Sequence, residues 1–314
     1  MMLGIVFTVF LILLLIFSLI VILVLQNKWK AVGSIQDTYK SPPATVYSYP
    51  IMICGIVYQC APYLDAVFQN ILKIIPLFSD YRIVIEIDEG KDASLSILES
   101  WKEKLHPHMI LVEGKKSSTV RTENIAIARN MVLEQIRALV ETGFEPRFFI
   151  MMDMDNVCSS PIKLPVLHHV LDNEHVWDSV SFHRKPYYDL WALSYDPYYL
   201  SCFHWKTNVV KSSIEKVTKK FNNLSPKEFF PVYSAFNGFA IYRTEIFLRC
   251  DYDWRFQSTQ KYMTPTMLSK NKKAMYPNVF KRTMEMDCEH RFFHMSAIFD
   301  HGARIRICPQ LLFS

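Results

Sequence analysis

The chain has 314 residues, of which 50% are hydrophobic, 14% aromatic and 21% charged, and its formal net charge is +5. This composition excludes an intrinsically disordered chain and suits one large globular domain with a small appendage. The lysines of residues 206–220 are spread as on a solvated helix face, so we expect no nucleic-acid binding.

The first 26 residues contain no charged side chain. A helix needs about 20 apolar residues to cross the bilayer core, so residues 1–26 predict a transmembrane helix. The basic start and small-residue cleavage site of a cleaved signal peptide are missing, and we therefore predict a permanent signal-anchor. Residues 27–49 are polar and contain prolines, which indicates a stem. Lys28 and Lys30 follow the helix, and the positive-inside rule then favours a cytosolic domain.

From residue 50 onward, short apolar β-prone runs alternate with segments of helical spacing. The predicted strands are 51–58, 82–88, 108–114 and 147–153, and the predicted helices are 61–78, 92–105 and 121–143. This alternation predicts βαβ units, and therefore an α/β domain over 50–314 with a mostly parallel central sheet and helices on both faces.

Two carboxylates stand at the end of the fourth predicted strand, in the stretch 148-FFIMMDMDNVCSSP-161. Ligands of open α/β sheets bind beyond the carboxyl ends of the strands, and alternation places Asp153 and Asp155 on one side. Two carboxylates so close repel each other unless a cation lies between them. A divalent cation bound to nucleotide phosphates suits such oxygen ligands. The alternative is a simple turn, because Asp and Asn favour loops.

Six segments of the chain resemble nucleotide-sugar-dependent glycosyltransferases of the GT-A fold, which is Rossmann-like. More closely, they resemble the fungal capsule-associated α-1,3-mannosyltransferase-like family. The matching segments, which cover most of 50–314 in the expected order, are 121-RTENIAIARNMVLEQI-136, 149-FIMMDMDNV-157, 187-YYDLWAL-193, 236-FNGFAIYRT-244, 287-DCEHRFFH-294 and 302-GARIRICPQL-311.

The resemblance implies an enzyme that moves a sugar, with mannose as one candidate, from a nucleotide-diphosphate donor to a hydroxyl group. The acceptor would be a glycan, glycoprotein or glycolipid. The resemblance also implies Mn²⁺ or Mg²⁺ as cofactor, held by Asp153 and Asp155, and Asp153 would thereby contribute to donor binding. A single-pass enzyme of this kind is typical of ER or Golgi membranes with a lumenal domain, which conflicts with the positions of Lys28 and Lys30. The orientation therefore stays open.

Further donor-binding residues follow from the same resemblance. Arg121 and Arg129 lie eight residues apart, near two helical turns, and can share a helix face that binds phosphate. Asn130 would contact a sugar or a base edge, and Tyr58 would stack on the base. The alternatives are an amphipathic helix with solvated arginines and a Tyr58 that only packs in the core.

The predicted acceptor-binding residues lie in two segments that are rich in aromatic and polar side chains. This mixture is typical of carbohydrate sites, and a glycine within a strand-like run permits close approach to a ligand. These residues are Tyr188, Asp189, Trp191, Asn237 and Gly238. The alternative for the first segment is a strand edge with surface tyrosines.

Catalytic residues are predicted near the C-terminus. The resemblance implies that Glu289, or else Asp287, deprotonates the acceptor hydroxyl. The alternative is that both acids only favour a helix N-terminus electrostatically. His294 is the candidate for a third metal ligand, although such a histidine usually follows the last strand, where 304–314 offers none.

Two rival functions remain open at the level of sequence. One is a non-catalytic membrane-anchored protein of the same fold that binds carbohydrate or a partner protein. The other is a metal-dependent hydrolase that uses the same aspartates. Formation of a transferred product separates the enzyme from the binding protein, and binding of a nucleotide sugar separates the transferase from the hydrolase.

Overall fold

The computed structural model describes residues 47–114, 117–206, 209–281 and 284–314. The predicted signal-anchor, 1–26, and all but the last three residues of the predicted stem lie outside these ranges. Within them, no helix combines the length and the apolar composition needed to cross a membrane.

The first half of the domain contains the elements that the sequence predicts, with bounds that differ by a few residues. In chain order they are β1 Ile51–Val57, α1 Ala61–Ile74, β2 Tyr81–Ile87, α2 Ser94–Lys104, β3 Met109–Glu113, α3 Arg121–Glu141 and β4 Phe148–Asp153. The predicted helix 61–78 ends early because its last turn tightens into a 3₁₀ helix, Ile75–Leu77, that contains a proline.

The second half is less regular, and its strands are joined by longer connections. Its elements are α4 Leu164–Asp172, β5 Ser179–His183, α5 Val210–Asn222, β6 Phe230–Pro231, β7 Phe239–Arg243, α6 Thr244–Phe247, α7 Phe256–Gln260, α8 Pro265–Met275, α9 Glu289–His301 and β8 Ile305–Leu311. Two further 3₁₀ turns are Glu174–Val176 and Cys202–His204.

The eight strands form one mixed sheet in the order β3-β2-β1-β4-β7-β5-β8-β6. The first four strands of this order are parallel, as predicted. The prediction of a mostly parallel sheet is confirmed in part: β5 and β8 also pair in parallel, whereas β7 runs antiparallel to both of its neighbours and β6 antiparallel to β8. Between β4 and its sheet neighbour β7 the chain passes through β5 and β6 rather than through a single crossover helix, so β7 need not run parallel to β4.

Both faces of the sheet are covered by helices, and the alternation along β1 shows how the core divides. Ile51 and Ile53 point to the face that α1, α2 and α4 cover. Met52 and Cys54 point to the opposite face, which α3 and α9 cover. Strands β2 and β3 lie to one side of β1, and β4 lies to the other. The chain therefore adds strands first on one side of β1 and then on the other. This switch in strand order opens a crevice at the carboxyl ends of β1 and β4, where ligands of open α/β sheets bind.

Candidate functional site

A cavity of about 400 Å³ lies at the carboxyl ends of β1, β2 and β4 and is bordered by the first half of α3. Its polar and aromatic lining includes Tyr58, Glu86, Asp88, Arg121, Arg129, Asp153, Asp155, Tyr188, Asp189, Trp191, Phe236, Glu289 and His290. Six of these side chains are carboxyl groups and only two are guanidinium groups. Among the described residues, the pocket therefore carries more acidic groups than basic ones, although the whole chain is basic.

Asp153 and Asp155 both line this pocket, as the strand-end argument predicts. Asp153 is the last residue of β4, and its backbone N–H donates to the Gly238 carbonyl at 2.8 Å. Asp155 Oδ1 accepts a hydrogen bond from the Val157 N–H at 2.8 Å, so this residue also stabilises the turn after the strand. Asp155 can therefore stabilise the turn and also bind a ligand, because its second carboxylate oxygen is not used by the Val157 N–H.

Burial and neighbouring acids oppose the ionisation of Asp153. Burial raises the pKa of Asp153 to about 7, Arg129 opposes this rise, and the nearby Asp155, Asp189 and Glu289 add to it. Carboxylate oxygens are hard donors, which suit Mg²⁺ or Mn²⁺. The pair of aspartates therefore fits a divalent cation. In the described ranges, no group of three or more His, Cys, Asp or Glu side chains could hold a metal by itself.

Arg129 lines the pocket and is only 5% exposed. Its Nη1 donates to Glu289 Oε1, and its Nη2 lies 3.6 Å from Asp153 Oδ1. The rings of Phe236 and Tyr252 cover the guanidinium, with centroids 4.6 Å and 5.7 Å from Cζ. Arg129 is therefore a buried counter-charge between two acids that line the pocket.

Arg121 begins α3 and lines the same pocket as Arg129, so the two arginines share a helix face as predicted. Unlike Arg129, Arg121 is exposed to solvent. A guanidinium at the mouth of the pocket can reach a phosphate without first leaving a buried ion pair. Of the two arginines, Arg121 is thus the more accessible to a ligand.

Glu289 and Asp189 are the acids best placed for proton transfer. Glu289 begins α9, is 4% exposed and has its pKa raised by burial, against the opposing charge of Arg129. Burial also raises the pKa of Asp189, and one of its oxygens accepts a hydrogen bond from the Ala192 N–H at 3.1 Å. A carboxyl group with a raised pKa is a better general base than an ordinary surface acid.

Asp287, the second predicted catalytic acid, lies outside the pocket. Its side chain is fully buried, its two oxygens share the single N–H of Arg291 Nε, and Oδ1 lies 3.2 Å from His204 Nε2. Arg291 also donates to the backbone carbonyls of Leu193 and Tyr199. The structure thus corrects the catalytic prediction for Asp287, which anchors the start of α9 through a buried ion pair.

His294, the predicted third metal ligand, is also in the core. Its Nδ1 lies 3.0 Å from Ser234 Oγ and its Nε2 lies 3.0 Å from Tyr242 Oη. Both ring nitrogens therefore have partners away from Asp153 and Asp155, and we withdraw the metal role. The sequence spacing of His290 and His294 does place both on one face of α9, where their rings stack at 5.5 Å.

The buried state of His294 predicts a loss of stability in acid. Burial lowers its pKa to about 3, below the ordinary 6.5 of an unfolded chain. The unfolded state then takes up the proton first, so this contribution is complete above pH 6.5 and is lost as the pH falls toward 3. We expect the free energy of unfolding of His294→Gln to depend less steeply on pH than that of the wild type, by up to about 1.4 kcal/mol per pH unit. Equal slopes between pH 6.5 and 4 in urea titrations would contradict this.

Three other predicted contact residues support the pocket wall rather than line it. Asn130 exchanges two hydrogen bonds with the Tyr252 backbone, which ties α3 to the segment before α7. Asn237 Oδ1 accepts from the N–H groups of Tyr188 and Asp189, and its Nδ2 donates to the Phe182 carbonyl. The structure therefore corrects the direct ligand contacts predicted for Asn130 and Asn237.

Gly238 is the third of these residues and lies directly behind Asp153. It has a φ of +90°, and a Cβ at this position would lie 2.2 Å from Val157 Cγ1 and 3.4 Å from Asp153 Oδ2. The close approach is thus made to the turn that carries Asp153 and Val157 and not to an acceptor. Because Gly238 has no side chain, the Asp153 carboxylate and Val157 can occupy their observed positions.

Gly238→Ala is therefore expected to be costly. Overpacking costs about 1–3 kcal/mol and adds to about 1–2 kcal/mol for the left-handed backbone. Gly143→Ala is the matched control, because Gly143 has a φ of +94° but no described neighbour within 4 Å of the place that a Cβ would occupy. Chemical denaturation of both variants measures the difference, and an equal cost would show that the contact with Val157 is unimportant.

The predicted acceptor residues Tyr188, Asp189 and Trp191 line the same pocket as Asp153. Tyr188 is 50% exposed, and its hydroxyl donates to Asp153 Oδ2 at 3.4 Å. Trp191 Nε1 is buried without a hydrogen-bond partner among the described residues. Tyr58, predicted to stack on a base, follows β1, lines the same pocket and is 47% exposed.

Sequence reasoning missed two acids of the pocket, Glu86 and Asp88, which lie at the carboxyl end of β2. The same strand-end rule that identifies Asp153 applies to them. From the sequence, Asp88 is expected to form part of a turn before Gly90, and Glu86 is expected to be one residue of a strand. The missed signal is a pair of acids two residues apart at the end of an otherwise apolar strand.

No family model and no curated protein matches the chain. Solved structures similar to it include Staphylococcus aureus TarS 1–349 in complex with UDP-GlcNAc, at 15% identity over 84% of this chain and 57% of that one, with a TM-score of 0.41. Mannosyltransferase PcManGT from Pyrobaculum calidifontis, in complex with GDP-Man and Mn²⁺, is 14% identical over 87% and 76%, with a TM-score of 0.42.

Glucosyl-3-phosphoglycerate synthase from Mycobacterium tuberculosis, in complex with UDP, is 11% identical over 63% of this chain and 58% of that one, with a TM-score of 0.35. The chain spans less than two thirds of the TarS 1–349 structure. These comparisons leave the fungal capsule-associated family unconfirmed. Similarities this low do not establish a function, so the function is argued from the residues of the pocket. The mixed α/β sheet of eight strands is consistent with the predicted GT-A fold.

Proposed function

We propose that this protein is a glycosyltransferase that moves a sugar from a nucleotide-diphosphate donor to a hydroxyl acceptor. The observation that carries the proposal is the position of Asp153 and Asp155 at the end of β4, in an acid-rich crevice that α3 borders. Two neighbouring carboxylates at the ligand-binding edge of an α/β sheet suit a cation-bound diphosphate. Mannose is one sugar to test, in line with the sequence resemblance.

Mn²⁺ or Mg²⁺ would be held by Asp153 and Asp155, with further oxygen ligands supplied by the donor and by water. When bound, the ion neutralises negative charge that develops on the leaving diphosphate. Arg121, exposed at the pocket mouth, is placed to donate to a phosphate oxygen. Arg129 offsets the repulsion between the buried Asp153 and Glu289 carboxylates, because its guanidinium contacts both acids.

Glu289 is the proposed general base, which takes the proton of the acceptor hydroxyl as the oxygen attacks the sugar. Glu289 lines the pocket, and burial raises its pKa. The nearby Asp189 is the second acid within this part of the pocket. Tyr188 and Trp191 supply aromatic surface beside it, which suits the C–H faces of a sugar.

The test is a donor screen of the purified full-length chain with Mn²⁺ across nucleotide sugars and simple glycan acceptors. We expect transfer from at least one donor, and we expect EDTA to abolish it. Release of free sugar with acceptor present but without a transferred product would favour the hydrolase. Carbohydrate binding without any turnover would favour the non-catalytic binding protein.

We further propose that residues 1–26 anchor the protein as a single-pass membrane protein of the ER or Golgi type. Their lack of any charged side chain supports this proposal. The full-length protein is expected in the membrane pellet after detergent-free fractionation, and a variant without 1–26 in the supernatant. Recovery of the full-length protein in the aqueous fraction would count against an anchor, and protease protection of sealed vesicles would report the orientation.

A further inference from the structure

A second cavity lies beside the candidate active site and has no part in the reaction proposed above. Its volume is about 160 Å³, and it lies between the segment 190–202, the first half of α5 and the end of α8. Leu190 and Leu193 line it, whereas their neighbours Asp189 and Trp191 line the candidate active site. The two cavities are therefore separated by one segment of the chain.

The interior of this second cavity is apolar. Its buried aliphatic lining residues are Leu190, Leu193, Leu200, Val217 and Met275. The hydroxyl groups of Ser201 and Ser212 and the side-chain amide of Asn278 also line it, but each has a hydrogen-bond partner within its own segment. A ligand therefore meets mainly hydrocarbon, which binds apolar groups.

The size of the cavity limits its occupant. Pockets that enclose whole small molecules measure about 300–1,000 Å³, so a volume of about 160 Å³ takes only part of a molecule. A sugar ring would bring hydroxyl groups against aliphatic side chains and leave them without hydrogen bonds, which is unfavourable. One hydrocarbon chain suits both the volume and the lining.

The mouth of the cavity is apolar as well. Tyr276 borders it, and Val279 follows Asn278, the last of its lining residues. Tyr276 is 83% exposed and Val279 is 57% exposed, which makes them the two most exposed large apolar side chains among the described residues. Exposed apolar side chains that cluster in this way are typical of binding surfaces.

The surroundings of the mouth are strongly basic. Helix α5 and the segment 265–281 together contain eight lysines and a single acid, Glu215. Lys216 lines the cavity and is exposed. Within the described ranges, the only lysine that forms an ion pair is Lys270, with Asp196. Unpaired lysines beside an apolar cavity attract an anionic group that is attached to an apolar one.

We propose that this second cavity binds the hydrocarbon chain of a single-chain anionic lipid, whose head group contacts Lys216. The chain packs against Leu190 and Leu193, behind the segment that carries Asp189 and Trp191 in the candidate active site. Lipid binding here goes beyond the proposed sugar transfer and can be measured without it.

The experiment is photo-cross-linking of the full-length protein in phosphatidylcholine vesicles. The probe is a lysophosphatidic acid with a diazirine on its acyl chain, and a lysophosphatidylcholine with the same chain is the neutral comparison. Mass spectrometry locates the label. We expect the anionic probe to label 190–202, 209–217 and 274–279, and the neutral probe to label them at least about fivefold less. Excess inorganic phosphate should not reduce the label, because it has no chain.

Two variants test the cavity and the charge separately. Ala274→Phe fills the cavity, and Ser269→Phe adds the same ring to an exposed position of α8 as its control. We expect the label to fall at least about tenfold in Ala274→Phe, the scale of two buried methylene groups, and to stay unchanged in Ser269→Phe.

Lys216→Glu should lower the label at least about fivefold, and by more than Lys211→Glu, because Lys211 lies on the same helix but does not line the cavity. Circular dichroism is the folding check, and the wild-type label decides even where a variant does not fold.

Label confined to 1–26, or scattered evenly over the domain, would overturn the lipid site. Equal labelling by the anionic and neutral probes would overturn it too, as would loss of the label in inorganic phosphate, which would indicate a simple anion site. None of these results touches the proposed sugar transfer, which the donor screen tests, and failure of that screen would leave the lipid label in place.

Discussion

Asp155→Asn is expected to lower metal-dependent sugar transfer at least about 100-fold while the fold survives. The loss is the scale of removing one electrostatic contact from a developing anion. Asparagine keeps an Oδ1 acceptor, so the hydrogen bond from the Val157 N–H and the turn can both remain. Relief of the repulsion between Asp153 and Asp155 should also raise the melting temperature slightly when no metal is present. Asp153→Asn should behave similarly.

The measurement is a metal titration of turnover for the wild type and both variants, with circular dichroism to confirm folding. Glu99→Gln serves as the control, because it removes one carboxylate from the exposed face of α2. Normal turnover in both aspartate variants, or full wild-type activity in EDTA, would mean that the aspartates only form a turn. The proposed mechanism would then be wrong.

Arg129→Met is expected to lower the free energy of unfolding by about 3–5 kcal/mol, because Glu289 would be left buried without its counter-charge. The sequence predicts this arginine as a phosphate ligand on a helix face. The structure adds its ion pair with Glu289 and its position between two aromatic rings. We therefore expect loss of donor binding and loss of stability together.

A double variant separates these two effects. Arg129→Met combined with Glu289→Gln removes both charges, so most of the lost stability should return while turnover stays abolished. Lys270→Met is the control, because Lys270 pairs with Asp196 on the surface, where such pairs contribute about 0–1 kcal/mol. Urea denaturation gives the stabilities. A cost for Arg129→Met no larger than that of Lys270→Met would contradict a structural role for the buried pair.

The sequence by itself determined the elements whose signals are local. Apolar runs with β-branched residues and helical spacing located β1 to β4 and α1 to α3 within a few residues. The same reasoning placed Asp153 and Asp155 at the carboxyl edge of the sheet, because the end of a strand can be recognised from the sequence pattern. It also placed Arg121 and Arg129 on one helix face, since helical periodicity depends only on spacing.

Only the tertiary structure decided which side chains meet. Arg129 and Glu289 are 160 residues apart in the chain and share a buried ion pair. His294 and Asp287 carry side chains that suit metal binding or catalysis, yet their partners Tyr242 and Arg291 hold them in the core. The space beside Glu86 depends on Gly114, just after the neighbouring strand. Burial and pairing of this kind arise from contacts between distant segments, and no periodicity in the sequence encodes them.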